Sequence, residues 1–478
     1  MQSRITILGA GPGGYVAAAR AAQLGADVTL IEQENVGGTC LNWGCIPSKV
    51  LITTAELLEK MRKADAFGIT VEGNIRPNML RLMERKNKVI LDQSKGILDL
   101  LRHHRVHYVK GTGSIKGKGL ASVRLQDGAE QDVPWDRFIL ATGTKPAHLP
   151  GIPFDGEKIL SSNHALDLQE VPESILIVGG GVIGCEFAFL LSALGSKVTV
   201  IEALSRLLPL PSVDESCSKV LHREMKKRKI NFMVSHTLED LSEEHGKLRV
   251  TIAPSRFPES PAGRNDKTLF VIADKILVCI GRTPNSTTLE GFDLLGVKTD
   301  EKGWVMTNHK METGAPDVYA IGDLLGPSKI MLAHVASAEG LVAAENAMGG
   351  AREMDYSAVP SAIFTSPEIA NVGLTEAQAL EQGYDIRSDT ALFRSLGKAQ
   401  VMGEIAGEAK VVSEKHSGRI LGVHLIGPRA TDLIAEATLA VRMRATVQDL
   451  AHTIHAHPTL AEIMVETSLK ALDRPLHG

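Results

Sequence analysis

Basic residues are not in excess in this chain. Lys and Arg number 52 against 56 Asp and Glu, a net charge of −4 over 478 residues, whereas a nucleic-acid binder usually carries a positive surplus. Long apolar runs are missing too: nowhere do about 18 consecutive apolar residues occur, the length a membrane-crossing helix needs. The opening Met1-Gln2-Ser3-Arg4 runs straight into a strand-like segment. It has none of the charged, apolar and small-residue regions of an export signal, so a cytoplasmic location is expected. Cysteine is scarce, five residues in all, too few for a disulfide framework in a chain of this size. Cys185, Cys217 and Cys279 are scattered in apolar stretches and read as buried thiols. Cys40 and Cys45 lie close together, and in a reducing compartment such a pair points to metal binding or redox chemistry.

What is present is the balance of an ordinary globular protein, 44% hydrophobic and 23% charged, in a chain too long for one hydrophobic core. Glycine is plentiful at 45 residues and clusters in motifs. The most informative motif is repeated. An apolar strand over 5–8 leads into Gly9-Ala10-Gly11-Pro12-Gly13-Gly14, an Ala-rich helical stretch ends at Leu24-Gly25, and a second strand ends on Glu32. The same order returns with Gly179, Gly181 and Gly184, Leu194-Gly195 and Glu202, at a constant offset of 170 residues. Two such strand–helix–strand units imply two Rossmann-like dinucleotide-binding domains. Pro146, Pro150 and Pro153 punctuate the chain after a strand expected over 138–141, and a strand over 276–280 ends in Gly281-Arg282-Thr283-Pro284-Asn285. Residues 255–266, rich in Pro, Ser and charge, read as an exposed hairpin or loop. Beyond about 351 short strands (409–413, 420–426) alternate with helices (430–443, 459–472), the pattern of a separate α+β domain. The expected division is therefore a first nucleotide-binding domain over 1–149, a second over 150–280, a central part over 281–350, and a C-terminal α+β domain over 351–478.

In each repeat the glycines have separate uses. Gly9 and Gly179 permit the tight turn, Gly11 and Gly181 let the backbone approach a pyrophosphate, and Gly14 and Gly184 let helix and strand pack closely. The helix N-terminus offers free N–H groups and the positive end of its dipole. Glu32 and Glu202 stand where a carboxylate accepts ribose hydroxyls. A glycine turn in an unrelated α/β protein is the alternative, but the repeated context favours two nucleotides. FAD with NAD is the natural pairing, because a flavin accepts hydride from nicotinamide and exchanges electrons with thiols. Glu202 favours NAD over NADP, since it repels a 2′-phosphate; Arg206 lies nearby but not at the strand end.

The cysteines sit in Gly37-Gly38-Thr39-Cys40-Leu41-Asn42-Trp43-Gly44-Cys45-Ile46-Pro47-Ser48-Lys49, a spacing that can close a disulfide across a helical turn or loop. A zinc site needs two further ligands at suitable spacing. No second Cys pair exists, and His103, His104 and His107 read as a solvated helix face. A redox dithiol is favoured and no metal is expected. Near the other end stands His455-Ala456-His457-Pro458-Thr459-Leu460-Ala461-Glu462. Thiol–disulfide exchange needs a thiolate, and a histidine can take a proton from one thiol and return it. Glu462, one turn past a helix start expected at Thr459, could orient His457; from spacing alone, a surface pair at a helix N-terminus is the alternative.

At these residues the chain resembles the pyridine nucleotide–disulfide oxidoreductase family over essentially its whole length. Residues 37–49 are close to the family's redox-disulfide signature. Ala141-Thr142-Gly143 and Tyr319-Ala320-Ile321-Gly322-Asp323 resemble its later flavin-binding segments, and His457-Pro458 through Glu462 its catalytic histidine–glutamate segment. Leu332-Ala333-His334 with Glu339-Gly340 resembles the lipoamide branch rather than the glutathione branch, although Val335-Ala336-Ser337-Ala338 is less charged than that branch leads one to expect. The resemblance implies that Cys40 is the interchange thiol that meets substrate and Cys45 the thiol that faces the flavin. It implies that Lys49 sits near the flavin ring and pairs with Glu186, and that Asp323 binds the ribityl chain. Further cofactor contacts are expected at Gly38, Thr39, Gly113, Ala141, Thr142, Gly143, Gly281 and Ala333. His457, steadied by Glu462, would serve the disulfide of the other subunit in a homodimer joined through the C-terminal domain. The implied reaction oxidises protein-bound dihydrolipoyl groups and reduces NAD⁺. The implied partners are the lipoyl domains of 2-oxoacid dehydrogenase or glycine cleavage complexes, with no nucleic acid and no membrane. Members with an extra C-terminal redox pair, the mercuric reductases and large thioredoxin reductases, are disfavoured because no cysteine follows Cys279. A glutathione-type reductase using NADPH is the nearer rival, against which Glu202 argues. A non-catalytic redox sensor is the distant one, against which the retention of Cys40, Cys45, His457 and Glu462 argues.

Overall fold

The computed structural model describes residues 2–257 and 269–477. Strands Arg4–Leu8 and Asp27–Glu32 carry apolar runs with Ile5, Ile7, Leu30 and Ile31 fully buried, the pattern of strands covered on both faces. They pair in parallel, Ile5 opposite Val28 through Leu8 opposite Ile31. The connecting helix Pro12–Gln23 opens on a proline, whose missing N–H has no partner to lose in a first turn, and buries Ala17, Ala18 and Ala21. Arg137–Leu140 and then Val318–Ala320 extend the parallel run on one side, and His107–Gly117 on the other. Leu120–Leu125 and Glu130–Pro134 complete seven strands in antiparallel sense.

The second repeat has the same plan and the same register. Ser174–Val178 pairs in parallel with Lys197–Glu202, Ile175 opposite Val198, with the helix Val182–Leu194 between. Asn231–Val234, Lys275–Val278 and Ile159–Leu160 complete a five-stranded parallel sheet. An antiparallel sheet of His236–Glu244, Lys247–Pro254 and Leu269–Ala273 packs Val250 and Ile252 against Leu176, Val178 and Ile276. A two-stranded ribbon, Thr144–Pro146 with Arg282–Pro284, ties the two nucleotide units together where the chain leaves the first and returns from the second. The C-terminal part is a five-stranded antiparallel sheet whose central strand, Ile420–Gly427, is buried throughout. With helices Ala430–Arg442 and Glu462–Ala471 it encloses its own core of Val423, Leu425, Ile434, Ile463 and Met464. No helix among the described residues is long and apolar enough to cross a membrane.

Several boundaries differ from expectation. The strands expected over 138–141 and 276–280 are Arg137–Leu140 and Lys275–Val278, because the chain leaves the sheet to enter the loops at Gly143 and Gly281. The helix expected from Thr459 starts at Glu462. There the Glu462 carboxylate reaches back to accept the Thr459 N–H at 2.8 Å, so the preceding residues form a turn closed by that side chain. The loop expected over 255–266 lies mostly outside the described residues. The three histidines do not share a helix face: His103 ends the helix Met79–His103, and Arg105, in the left-handed region at φ 58°, turns the chain so that His107 opens a strand. Cys185 and Cys217 are buried as expected, whereas Cys279, just past its strand, is only partly so.

Candidate active site

The repeat persists in the finest geometry of the two nucleotide loops. Gly9 and Gly179 have φ of +105° and +106°, where a side chain is strained, and a Cβ on either would lie 2.3 Å from a carbonyl oxygen, of Ala141 or Cys279. Gly14 and Gly184 let each helix close on its strand: a Cβ would lie 1.8 and 1.9 Å from the Gly9 and Gly179 oxygens. Gly11 and Gly181, by contrast, face open space at the helix starts. Glu32 accepts the Ala10 N–H and the Glu34 N–H, both at 2.8 Å; Glu202 accepts the Gly180 N–H at 2.6 Å and the Leu204 N–H at 2.8 Å. Both carboxylates are buried. Burial pushes Glu32 upward against those backbone bonds. An ionised carboxylate accepts about four hydrogen bonds, so each keeps acceptor capacity for ribose hydroxyls. Arg206 commits its guanidinium to Ser218 Oγ (2.6 Å), Leu210 O (2.9 Å) and Val213 O (3.0 Å), and so does not offer itself to a 2′-phosphate.

Beside the first loop, Gly143 also faces open space, and the buried Thr142 hydroxyl has no hydrogen-bond partner among the described residues. Such an orphan costs about 1–3 kcal/mol unless a ligand takes it up. Arg282 donates to the Thr144 hydroxyl at 2.6 Å, and that hydroxyl leads on to Asp323 at 3.5 Å. Burial raises the Asp323 carboxyl, with the Arg282 charge opposing. An orphaned hydroxyl, a half-buried carboxylate acceptor and an open glycine cradle fit a flavin's pyrophosphate and polyol chain. The open positions at Gly181 and Gly281, with Glu202, fit the pyridine nucleotide. Gly113 lies within the sheet, where a Cβ would meet Leu8 at 2.4 Å, and Ala333 opens the helix Ala333–Ala347.

Gly38 joins the nucleotide loop to the redox segment: a Cβ on it would lie 2.7 Å from the Gly11 Cα. Thr39 and Cys40 follow it in the helix Gly38–Trp43, and Cys45 opens the helix Cys45–Arg62. Both cysteines are free thiols. The hydrogen bond between the two sulfurs lowers Cys45; burial opposes that, and the Lys49 ammonium reinforces it. The same bond, together with burial, raises Cys40. Cys45 also stands at a helix N-terminus, which favours a thiolate. Lys49 lies one turn further along that helix. Its ammonium meets both Glu186 oxygens at 3.2 and 3.1 Å and stands 4.2 Å from the centre of the Phe364 ring. Glu186 also accepts the Phe364 N–H at 2.9 Å. One ion pair thus draws in the helix Val182–Leu194 of the second nucleotide unit and the entry to the C-terminal domain. Phe364 and Arg282 carry no chemical motif that would mark their roles in sequence; only the fold brings them to these partners.

His457 and Glu462 form a second, separate group. Nδ1 of the histidine and Oε1 of the glutamate are 2.8 Å apart. Burial opposes the Glu462 charge, but the bonds from His457 and the Thr459 N–H hold its carboxyl below the ordinary range. The His457 side chain is 77% exposed. Among the described residues no hydrogen bond or ion pair of its own chain ties it to Cys40 or Cys45. His455, unassigned from sequence, is buried beside it and lies 2.8 Å from both Glu436 Oε1 and Thr453 O, pinning the segment that carries His457.

The family model described as Pyridine nucleotide-disulphide oxidoreductase matches residues 3–340, and that of its dimerisation domain matches residues 359–468. The protein named dihydrolipoyl dehydrogenase of Chlamydia muridarum (strain MoPn / Nigg) is 42% identical over 98% of this chain and 97% of its own length. Its namesake in Bacillus subtilis (strain 168) is 40% identical over 99% and 98%. Among solved structures, LpdA from Mycobacterium tuberculosis aligns with a TM-score of 0.88 at 27% identity, covering 98% of this chain and 99% of that one. Two nucleotide loops, a polarised dithiol between them and relatives matched from end to end agree: the chain belongs to the pyridine nucleotide-disulphide oxidoreductase family, with that family's dimerisation domain in its C-terminal part.

Proposed function

We propose that this chain is an FAD-dependent enzyme that oxidises protein-bound dihydrolipoyl groups to the lipoyl disulfide and reduces NAD⁺. The observation that carries the reading is the Cys40–Cys45 pair, polarised toward a Cys45 thiolate beside Lys49 and joined to the first nucleotide loop through Gly38. We assign 1–149 to FAD, 150–280 to NAD, 281–350 to completing the flavin site and 351–478 to dimerisation. Asp323 and Thr142 hold the flavin's polyol chain, and Glu202 holds the nicotinamide nucleotide's ribose.

His457, in contact with the partner chain's disulfide, takes the proton of one substrate thiol. The resulting thiolate attacks the Cys40 sulfur of the oxidised pair, breaking the Cys40–Cys45 bond and leaving Cys45 as a thiolate. The second substrate thiol releases its proton to solvent, attacks the first sulfur, closes the lipoyl disulfide and displaces Cys40, which recovers from His457 the proton taken in the first step. Bound FAD supplies the two-electron relay from the reduced cysteines to NAD⁺. Glu462 holds the His457 tautomer through Nδ1, leaving the other ring nitrogen for proton transfer. Lys49 stabilises the Cys45 thiolate and is itself held by Glu186.

The partners are lipoyl domains of 2-oxoacid dehydrogenase or glycine cleavage complexes, and the setting is the cytoplasm, where the NAD pool and such complexes meet. The test is a steady-state assay of NAD⁺ reduction with dihydrolipoamide, run beside glutathione disulfide with NADPH. Turnover in the first and none in the second is expected; the reverse overturns the proposal.

A further inference from the structure

Glu339 has no part in the reaction above, yet it is a carboxyl group buried to 1% exposure in the helix Ala333–Ala347. Both of its oxygens are bonded. Oε2 accepts the Gly322 N–H at 2.7 Å and Oε1 accepts the Tyr356 hydroxyl at 2.7 Å. Gly322, at φ +74°, is where the chain leaves the strand Val318–Ala320 and enters the short turn Gly322–Leu325, and the next residue is Asp323. The helix that presents Glu339 is itself fixed. A Cβ on the adjacent Gly340 would lie 2.5 Å from the Gly13 oxygen, so this helix touches the backbone of the first nucleotide helix directly behind its glycine loop.

We propose that Glu339 is a positioning residue for the flavin: by accepting the Gly322 N–H and the Tyr356 hydroxyl together it aims Asp323 at the cofactor, and its charge state sets the field there. The proposal rests on the placement of the flavin at Asp323 given above.

The groups facing Glu339 are few. Tyr356 carries Lys329 over its ring at 4.9 Å and His309 edge-on at 6.0 Å. Asp323 sits on the turn itself, with Thr144 and Arg282 behind it. The first nucleotide helix presents the backbone of Gly13 and Ala17. Burial raises the Glu339 carboxyl to about 7, with Asp323 adding to the rise and the two hydrogen bonds and Lys329 opposing it. The group therefore changes charge near neutrality. Protonation breaks neither bond, since a neutral carboxyl keeps one acceptor for Gly322 and offers a donor to the Tyr356 oxygen. What is lost is a negative charge beside Asp323.

Two substitutions separate hold from charge. Glu339→Ala removes both acceptors, whereas Glu339→Gln fixes the neutral pattern of one acceptor and one donor in the same volume. The FAD dissociation constant and the visible flavin band of the holoenzyme are measured from about pH 5 to about pH 9 in wild type, both variants, Tyr356→Phe and Asp323→Ala. Glu339→Ala is expected to weaken FAD by about 10-fold or more, and Tyr356→Phe, which keeps the Gly322 bond, by less. Wild type is expected to show a pH-dependent step centred near 7 that Glu339→Gln lacks. An alanine variant with wild-type FAD affinity, or a glutamine variant with the wild-type step, overturns the proposal. Should the alanine variant not fold, unchanged affinity in Tyr356→Phe overturns it instead. Unchanged FAD affinity in Asp323→Ala overturns the placement of the flavin itself.

Discussion

Cys40 and Cys45 are the same residue type in one short segment, and the different duties proposed for them come from neighbours. Cys45 opens a helix and has Lys49 one turn away; Cys40 lies inside another helix and shares its proton with Cys45. Cys40→Ser and Cys45→Ser should each reduce dithiol turnover to background while retaining FAD, because neither sulfur anchors a nucleotide. The long-wavelength thiolate-to-flavin band of the reduced protein should survive in Cys40→Ser and vanish in Cys45→Ser; the opposite pattern reverses the assignment. Glu339 gives a second test at this scale. Its folded value of about 7 exceeds the ordinary 4.5, so folding favours its protonated form. The resulting stability is present below about pH 4.5 and is lost as pH rises through about 7, a swing of up to about 3 kcal/mol. In the apoprotein, Glu339→Gln should therefore gain stability relative to wild type above pH 7, as read by denaturant midpoints at acid and alkaline pH. Residues in one motif, such as Cys40 with Cys45, were legible in the sequence, and so was the spacing of His457 with Glu462. The pairing of Lys49 with Glu186, 137 residues away, came only through resemblance. Phe364 and the Arg282–Thr144 bond are made by tertiary approach and carried no sequence signal.

Among elements, the repeat was the most readable feature because strand, glycine turn, helix and acid are local in sequence. Even the strand register is preserved, Ile5 on Val28 and Ile175 on Val198. Element ends were less readable, since they depend on side chains that compete for backbone groups; Glu462 capturing the Thr459 N–H shortens its helix by a turn. Glu202 does the same kind of work in the second nucleotide loop, where it holds Gly180 and Leu204. Replacing it with Ala frees those two N–H groups and removes the proposed ribose acceptor. With a hydrogen bond to a charged group worth about 1.5–3 kcal/mol, kcat/KM for NAD⁺ should fall by about 10- to 100-fold. NADP⁺ should gain only relative to NAD⁺, because Arg206 is already committed within the loop. A wild-type preference for NADP⁺ in the same assay contradicts this account.

In the whole molecule, the proposed disulfide chemistry lies in the nucleotide half and the proposed proton chemistry in the C-terminal half, and nothing local in the sequence says how they meet. A mixed dimer tests the shared site. A Cys45→Ser chain paired with a His457→Gln chain, each inactive alone, should recover about half of wild-type activity per dimer, because one of its two sites joins intact cysteines to an intact base. A dead heterodimer with FAD bound and mixing confirmed contradicts the shared arrangement. The exposure of His457, 77% in its own chain, then bears on dose. A lone protomer would hold its flavin and its thiols yet lack a base, so association becomes a reagent in the rate law. Below the dissociation constant of the dimer, turnover per chain should fall in proportion to dilution while flavin absorbance per chain stays constant. Adding Cys45→Ser protein, which brings only a base, should restore the lost rate. Specific activity would then report how abundant the protein is.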